Sequence, residues 1–236
     1  MSDLEPLAYE HAGTALTGWL AHPEGMPRAA IVVYPTIVNA NPAVERRAKM
    51  LADAGFLAMI ADFYGEPVAD FPAGQALAGK LRKDPAFYRE RIVAAVTALR
   101  ALPEAKDIPM AVIGYCMGGG SALEAARDGQ DLIAAVSFHG LLDTPLPARP
   151  GAVRARLLVL HGDADPMVPR EQVTAFMEEM DRAGANWHLH AYSGVRHGFT
   201  DPASDERDLD AVAYDASADR QSWEAMMALL DEVLAP

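Results

Sequence analysis

The sequence predicts an α/β fold built around a mostly parallel sheet. Short uninterrupted apolar runs such as "AIVVY", "MAVIGY" and "RLLVL" read as strands buried on both faces, because a half-exposed strand would alternate polar and apolar residues. These runs alternate along the chain with stretches of helical period. No linker-like segment separates two sets of them, so residues 1–236 read as a single domain with helices on both faces of the sheet.

The elements follow in order. "TALTGWLAHP" is an early, partly exposed strand, and "RAAIVVYP" a buried one that ends at Pro35. "NPAVERRAKMLADAG" carries Val44, Ala48, Leu51 and Ala52 at helical spacing, with Gly55 as its stop. "FLAMIAD" is the next strand. Residues 63–85 read as loop, with Gly and Pro at several points. Asp84 and Pro85 then supply an N-cap and a first helical position for the long helix ending "TALRAL". Then come the strand "MAVIGY", the helix "MGGGSALEAARDG", the strands "LIAAVSFHG" and "ARLLVLHG", the helix "PREQVTAFMEEMDRAG" and the strand "NWHLHAYSG". A last helix places Trp223, Met226, Met227, Leu230 and Leu234 in an apolar stripe, read as core.

Charge narrows the partners. With 33 acidic against 20 basic residues the net charge is −13. Such a surface repels nucleic acid and anionic membrane, and neither is expected as a partner. The most basic stretch, "LRKDPAFYRER", has acids interleaved and reads as a solvated helix face. The N-terminal residues lack the apolar core of a secretory signal, and no apolar run approaches the about 18 residues that span a bilayer. One cysteine cannot form an internal disulfide. A cytoplasmic location is the expectation, as a monomer or small homo-oligomer.

That one cysteine lies in "AVIGYCMGGG", a strand, a sharp turn and a helix. Gly114-x-Cys116-x-Gly118 matches the nucleophile elbow G-x-S-x-G with cysteine in place of serine. Glycines flank the nucleophile because side chains there would collide across the turn. The following helix directs its N-terminal amides and positive dipole end at the reacting centre, favouring thiolate and a developing oxyanion. A dinucleotide fingerprint would need glycine at 116, and a P-loop would need Gly-Lys-Ser/Thr. The plain alternative is a buried cysteine at a glycine-rich junction.

A nucleophile needs a base, and the base an orienting acid. The elbow fold orders them nucleophile, acid, histidine. "LVLHGDADPMVP" places Asp165 on the loop after a strand, with Asp163 as competitor. "YSGVRHGF" places His197 on the next such loop. His188 and His190 share one strand face, but no third ligand has convincing spacing, so no metal is expected. His139 and His161 end strands ahead of Asp165 and read as pocket walls.

With these three residues in order, the sequence resembles the dienelactone hydrolase family of the α/β-hydrolases. The likeness runs from "AAIVVYP" to the last helix, most specifically in "GYCMGG", "GDADPMVP" and "RHGF". The resemblance implies an α/β-hydrolase fold with eight mostly parallel strands and no large cap domain. It implies no metal or organic cofactor, and ester or lactone hydrolysis through an acyl-cysteine. Cys116 would attack, His197 relay the proton, and Asp165 fix the imidazole. The backbone N–H groups of Ile37 and Met117 would form the oxyanion hole.

The chain also departs from that pattern. The family's best-known enzymes carry, after the strand matching "RAAIVVYP", a glutamate that helps ionise the cysteine; Thr36 stands at the matching position. They hold a substrate carboxylate with arginines, and Asp201 replaces one of them. Arg82 and Arg196 are weak substitutes. Thr36, Tyr64, Tyr115, His139 and Arg196, with Phe63, Phe71 and Phe138, are the residues named for the pocket. The expectation is a hydrolase of a small ester, lactone or thioester. Two rivals are an idle small-molecule binding protein on the same fold and a thiol redox sensor.

Overall fold

A computed structural model describes residues 4–235. It contains eight strands, β1 (Glu5–His11), β2 (Thr14–Ala21), β3 (Ala30–Tyr34), β4 (Leu57–Ile60), β5 (Met110–Tyr115), β6 (Ala134–Phe138), β7 (Arg156–Gly162) and β8 (Trp187–Tyr192). The helices are α1 (Pro42–Asp53), α2 (Phe71–Leu81), α3 (Pro85–Arg100), α4 (Met117–Arg127), α5 (Arg170–Ala183) and α6 (Ala216–Leu234). The strands form a mostly parallel α/β sheet. Two compact units divide the chain, Met1–Val112 and Ile113–Pro236.

In the first unit the strand order is β1-β2-β4-β3. β1 and β2 pair antiparallel, as do β2 and β4, while β3 and β4 run parallel. Every residue of β3 and β4 is buried, which is why both read as unbroken apolar runs. α1 buries the expected Val44, Ala48, Leu51 and Ala52, and Asn41 caps it by accepting from the Ala43 and Val44 amides. Gly55 follows in the left-handed region at φ 90°. Asp84 caps α3 by accepting from the Phe87 amide, as its position ahead of Pro85 predicts.

Two elements were not expected. β1 has the exposed-to-half-buried pattern of an outer strand, and Pro6 within it hides its strand character. Residues 71–81, read as loop, form α2. Asp70 caps it by accepting from the Ala73 amide, but only Gly74 and Ala78 are buried, so it lacks the apolar stripe that betrays a helix. Gly74 is there for closeness: a Cβ would stand 2.7 Å from the Ile37 carbonyl oxygen.

In the second unit the order is β5-β6-β7-β8, with β6, β7 and β8 paired in parallel. α4 packs on β6, and α6 on β6 and β7. In the stripe of α6, Met226 and Leu230 are fully buried, whereas Trp223, Met227 and Leu234 are half-buried. Each fully buried side chain of that size stabilises by about 1.5–3 kcal/mol. Arg127 of α4 is buried, and each of its three guanidinium nitrogens is hydrogen-bonded. It donates to Glu179 through Nε and Nη2, to Glu124 through Nη1 and to the Leu142 carbonyl, fastening α4 to α5 and to the loop after β6.

The candidate site residues follow the carboxyl ends of these strands, where chains of this class gather their ligands. Cys116 follows β5, His139 follows β6, Asp165 follows β7 and His197 follows β8.

Candidate active site

Cys116 adopts φ 56°, ψ −118°, a strained conformation for a non-glycine residue, between the end of β5 and the first turn of α4. Gly114 makes the turn feasible, because a Cβ there would overlap the Gly118 carbonyl. Gly119 is equally constrained: its Cβ would come 2.8 Å from the Gly140 Cα and 2.8 Å from Ser137 Oγ. Gly114 thus has the steric role its spacing predicts. The Cys116 N–H is shared between the Phe138 carbonyl and His139 Nδ1, each at 3.1 Å. The side chain is half-buried.

Asp165 sits on the short loop after β7. Its amide donates to the Gly162 carbonyl at 3.0 Å, and its carbonyl accepts from the Val168 amide at 3.2 Å. Gly162 allows this approach, since a Cβ would stand 2.5 Å from the Val195 carbonyl oxygen. Both carboxylate oxygens are used. Oδ1 accepts from the Met167 amide at 2.8 Å, and Oδ2 lies 2.7 Å from His197 Nδ1. Asp163, the competitor, points elsewhere: its carboxylate takes a two-pronged pair from Arg170 at 2.9 and 2.7 Å. That hydrogen bond holds the Asp163 carboxyl below its ordinary range.

His197 is held from behind. Its N–H donates to the Ala211 carbonyl and its carbonyl accepts from Ala213, both at 3.1 Å. Gly198 follows at φ 70°, where a Cβ would press to 2.9 Å from Ser204 Oγ. Burial pulls the imidazole pKa down. The negative charge and hydrogen bonding of Cys116 and the Asp165 hydrogen bond outweigh it and hold His197 up at about 10. Its Nε2 is buried and meets no nitrogen or oxygen partner among the described residues, and the Cys116 side chain is the further group acting on the ring. The arrangement is a buried carboxylate–imidazole pair coupled to a half-buried thiol, which is chemistry for nucleophilic attack.

The remaining named residues separate. Met117 is the first residue of α4 and is buried. His139 is buried beside the His197 ring, their centroids 5.1 Å apart. Tyr115 is buried and stacks on Phe138 at 4.7 Å, so both rings serve the core. Arg196, named for the pocket, is exposed and donates to the Asp210 carbonyl at 3.1 Å. Neither nitrogen of the buried His161 ring has a hydrogen-bond partner among the described residues, and burial lowers its pKa. Asp201 caps a short turn at Pro202–Glu206 and pairs with Arg207 at 2.7 Å, so its charge is largely answered.

Thr36, Ile37 and Tyr64 belong to the first unit. Thr36 Oγ1 accepts from Asn41 at 3.0 Å, and the Thr36 carbonyl closes a turn with the Asn39 amide. The Tyr64 hydroxyl donates to the Ile37 carbonyl at 3.0 Å. Asn39, at φ 64°, bonds Asp62, which also accepts from the Thr17, Tyr64 and Gly65 amides. Arg82 follows α2 and lies over the Tyr88 ring, and Phe63, itself buried and stacked on the fully buried Tyr34, is a core residue. Phe71, the first residue of α2, is exposed. Among the described residues no group of three or more His, Cys, Asp or Glu is arranged to hold a metal ion. No helix among them is long and apolar enough to cross a membrane.

The dienelactone hydrolase family profile matches residues 16–234, nearly the whole chain. The chain belongs to the dienelactone hydrolase family. A crystal structure of a dienelactone hydrolase-like promiscuous phosphotriesterase from metagenomic libraries superposes with a TM-score of 0.92 at 35% identity, covering 98% of both chains. An uncharacterized Caenorhabditis elegans protein is 37% identical over 150 residues, covering 62% of this chain and 94% of that one. A probable 2-oxo-3-(5-oxofuran-2-ylidene)propanoate lactonase of Bradyrhizobium is 27% identical over 225 residues, 89% of this chain and 87% of that protein. As a member of the dienelactone hydrolase family, the chain is a carboxylic ester hydrolase of the lactone and ester type.

Proposed function

We propose that this hydrolase cleaves small esters and lactones through an acyl-cysteine, with Cys116 as nucleophile, His197 as proton carrier and Asp165 as the group that orients it. The observation that carries the reading is the buried 2.7 Å contact between His197 Nδ1 and Asp165 Oδ2, on an imidazole whose pKa is raised by Cys116.

The steps follow from the atoms. The Cys116 thiolate attacks the carbonyl carbon, and the carbonyl π pair moves onto oxygen. The Met117 N–H, at the start of α4, stabilises that oxyanion. Collapse expels the alkoxide, which takes the proton from His197 Nε2. In a lactone the new hydroxyl stays attached to the acyl chain. Water then gives a proton to His197 and attacks the thioester carbon, and the thiolate leaves. Asp165 keeps the proton on Nδ1 throughout, so Nε2 is the exchanging atom. Thiolate is a better leaving group than alkoxide, so alkyl esters turn over slowly and activated esters faster.

Thr36 supplies no carboxylate to ionise the thiol. In this reading the His197 imidazolium does so, with Asp165 behind it.

The test is a panel of an activated aryl ester, small lactones and an aryl phosphotriester, the last prompted by the metagenomic relative. Wild type should hydrolyse at least one carboxylic ester or lactone, with an acyl adduct on Cys116 seen by intact mass spectrometry. Cys116→Ala should lose both adduct and turnover. Turnover that survives Cys116→Ala would refute the nucleophile assignment. A Cys116-dependent peroxide response without hydrolysis would favour the redox-sensor rival.

A further inference from the structure

We propose that His139 is a positioning residue, whose ring ties the turn that carries Cys116 to the loop that carries His197. The inference rests on the reading of Cys116 as nucleophile.

His139 is 2% exposed, follows β6 directly and has φ 40°. A left-handed backbone at a residue with a Cβ is unfavourable and persists only where its surroundings demand it. Here the conformation is fixed from both sides. The His139 N–H donates to the Leu160 carbonyl at 2.9 Å. The ring accepts the Cys116 N–H at Nδ1, 3.1 Å away. An accepting Nδ1 carries no proton, so the ring proton is on Nε2, which donates to Thr200 Oγ1 at 2.9 Å.

Thr200 is buried and lies three residues beyond His197. One neutral imidazole therefore bridges the two loops whose separation decides whether sulfur and imidazole meet. The same ring packs edge-on against His197, at 5.1 Å and 68°, and against Phe199, at 5.2 Å and 77°. Tyr115 lies 6.1 Å away on a further side. No partner beyond the ordinary core contacts is needed if His139 merely fills space. A filler would not require a nitrogen acceptor under the strained amide.

The substitutions separate acceptor from bulk. Asparagine tolerates positive φ and places its Oδ1 near the position of Nδ1. Leucine keeps bulk but offers no acceptor. His139→Leu should lower kcat on an aryl ester by on the order of tenfold or more, with KM within twofold, because the reacting atoms are misplaced rather than the substrate unbound. The rate of Cys116 alkylation by iodoacetamide at pH 7, read by intact mass, should fall with it. His139→Asn should restore most of both rates. Thr200→Val, which removes only the hydroxyl, should lower kcat severalfold and decides the matter if His139→Leu does not fold. Wild-type kcat in folded His139→Leu or Thr200→Val, or His139→Asn as slow as leucine, would overturn the proposal. Full hydrolysis by Cys116→Ala would instead sink the nucleophile reading, while the alkylation rates still judge the role of His139.

Discussion

His197 and Asp165 are joined through Nδ1 and Oδ2 at 2.7 Å, with side chains 5% and 0% exposed. The second carboxylate oxygen is committed to the Met167 amide. Asparagine at 165 has one acceptor oxygen for two donors. Asp165→Asn should therefore leave either a loop amide or the imidazole facing an NH2 group, and lower kcat about 10³-fold with little change in KM. Asp163→Asn breaks only an exposed pair with Arg170 and should stay within about twofold of wild type. Steady-state kinetics on both variants checks the pair.

The charge of Cys116 is the largest of the influences that raise His197 to about 10, above an ordinary value of 6.5. NMR of the His197 ring should show no titration near pH 6.5 in wild type and a lower midpoint in Cys116→Ser. Between those two values the folded chain holds a proton that the unfolded chain has released. The contribution of His197 to stability is thus complete below pH 6.5 and declines as pH rises towards 10.

Gly114 has no room for a methyl group beside the Gly118 carbonyl, whereas Gly79 in α2 faces open space. Gly114→Ala should destabilise by about 3 kcal/mol or more, or fail to fold, since backbone must move. Gly79→Ala should stabilise by about 0.5–1 kcal/mol through helix propensity. Chemical denaturation measures both.

Arg127 answers two buried carboxylates, Glu124 and Glu179, and caps the Leu142 carbonyl. Arg127→Met should cost about 3–5 kcal/mol, because it leaves charges buried without a counterion. The folded fraction should retain wild-type kcat, since none of these groups touches Cys116, Asp165 or His197. Unfolding curves and active-site titration by an activated ester check the two halves of this statement.

Much of the scaffold could be read in advance because burial on both faces leaves a periodic trace. β3, β4 and β6 are apolar at nearly every position and were legible for that reason. α2 and β1 were not, because exposed elements carry no such trace: α2 buries only Gly74 and Ala78, and β1 buries nothing fully. The place of Arg196 was not legible either, since a long side chain next to His197 in sequence can still turn to the Asp210 carbonyl.

The sequence by itself determined the order Cys116, Asp165, His197 on strand-end loops, and Gly114, which lets Cys116 adopt its turn. Those are local matters of spacing and sterics. The sequence favoured Asp165 and kept Asp163 as its competitor; the tertiary structure supplied the contacts, with Asp165 facing His197 and Asp163 meeting Arg170. The tertiary structure alone showed the Cys116 amide sharing its proton with His139, 23 residues away, and His139 reaching Thr200, 61 residues away. No motif encodes those bonds, because they join strand-end loops that come together only when the sheet forms.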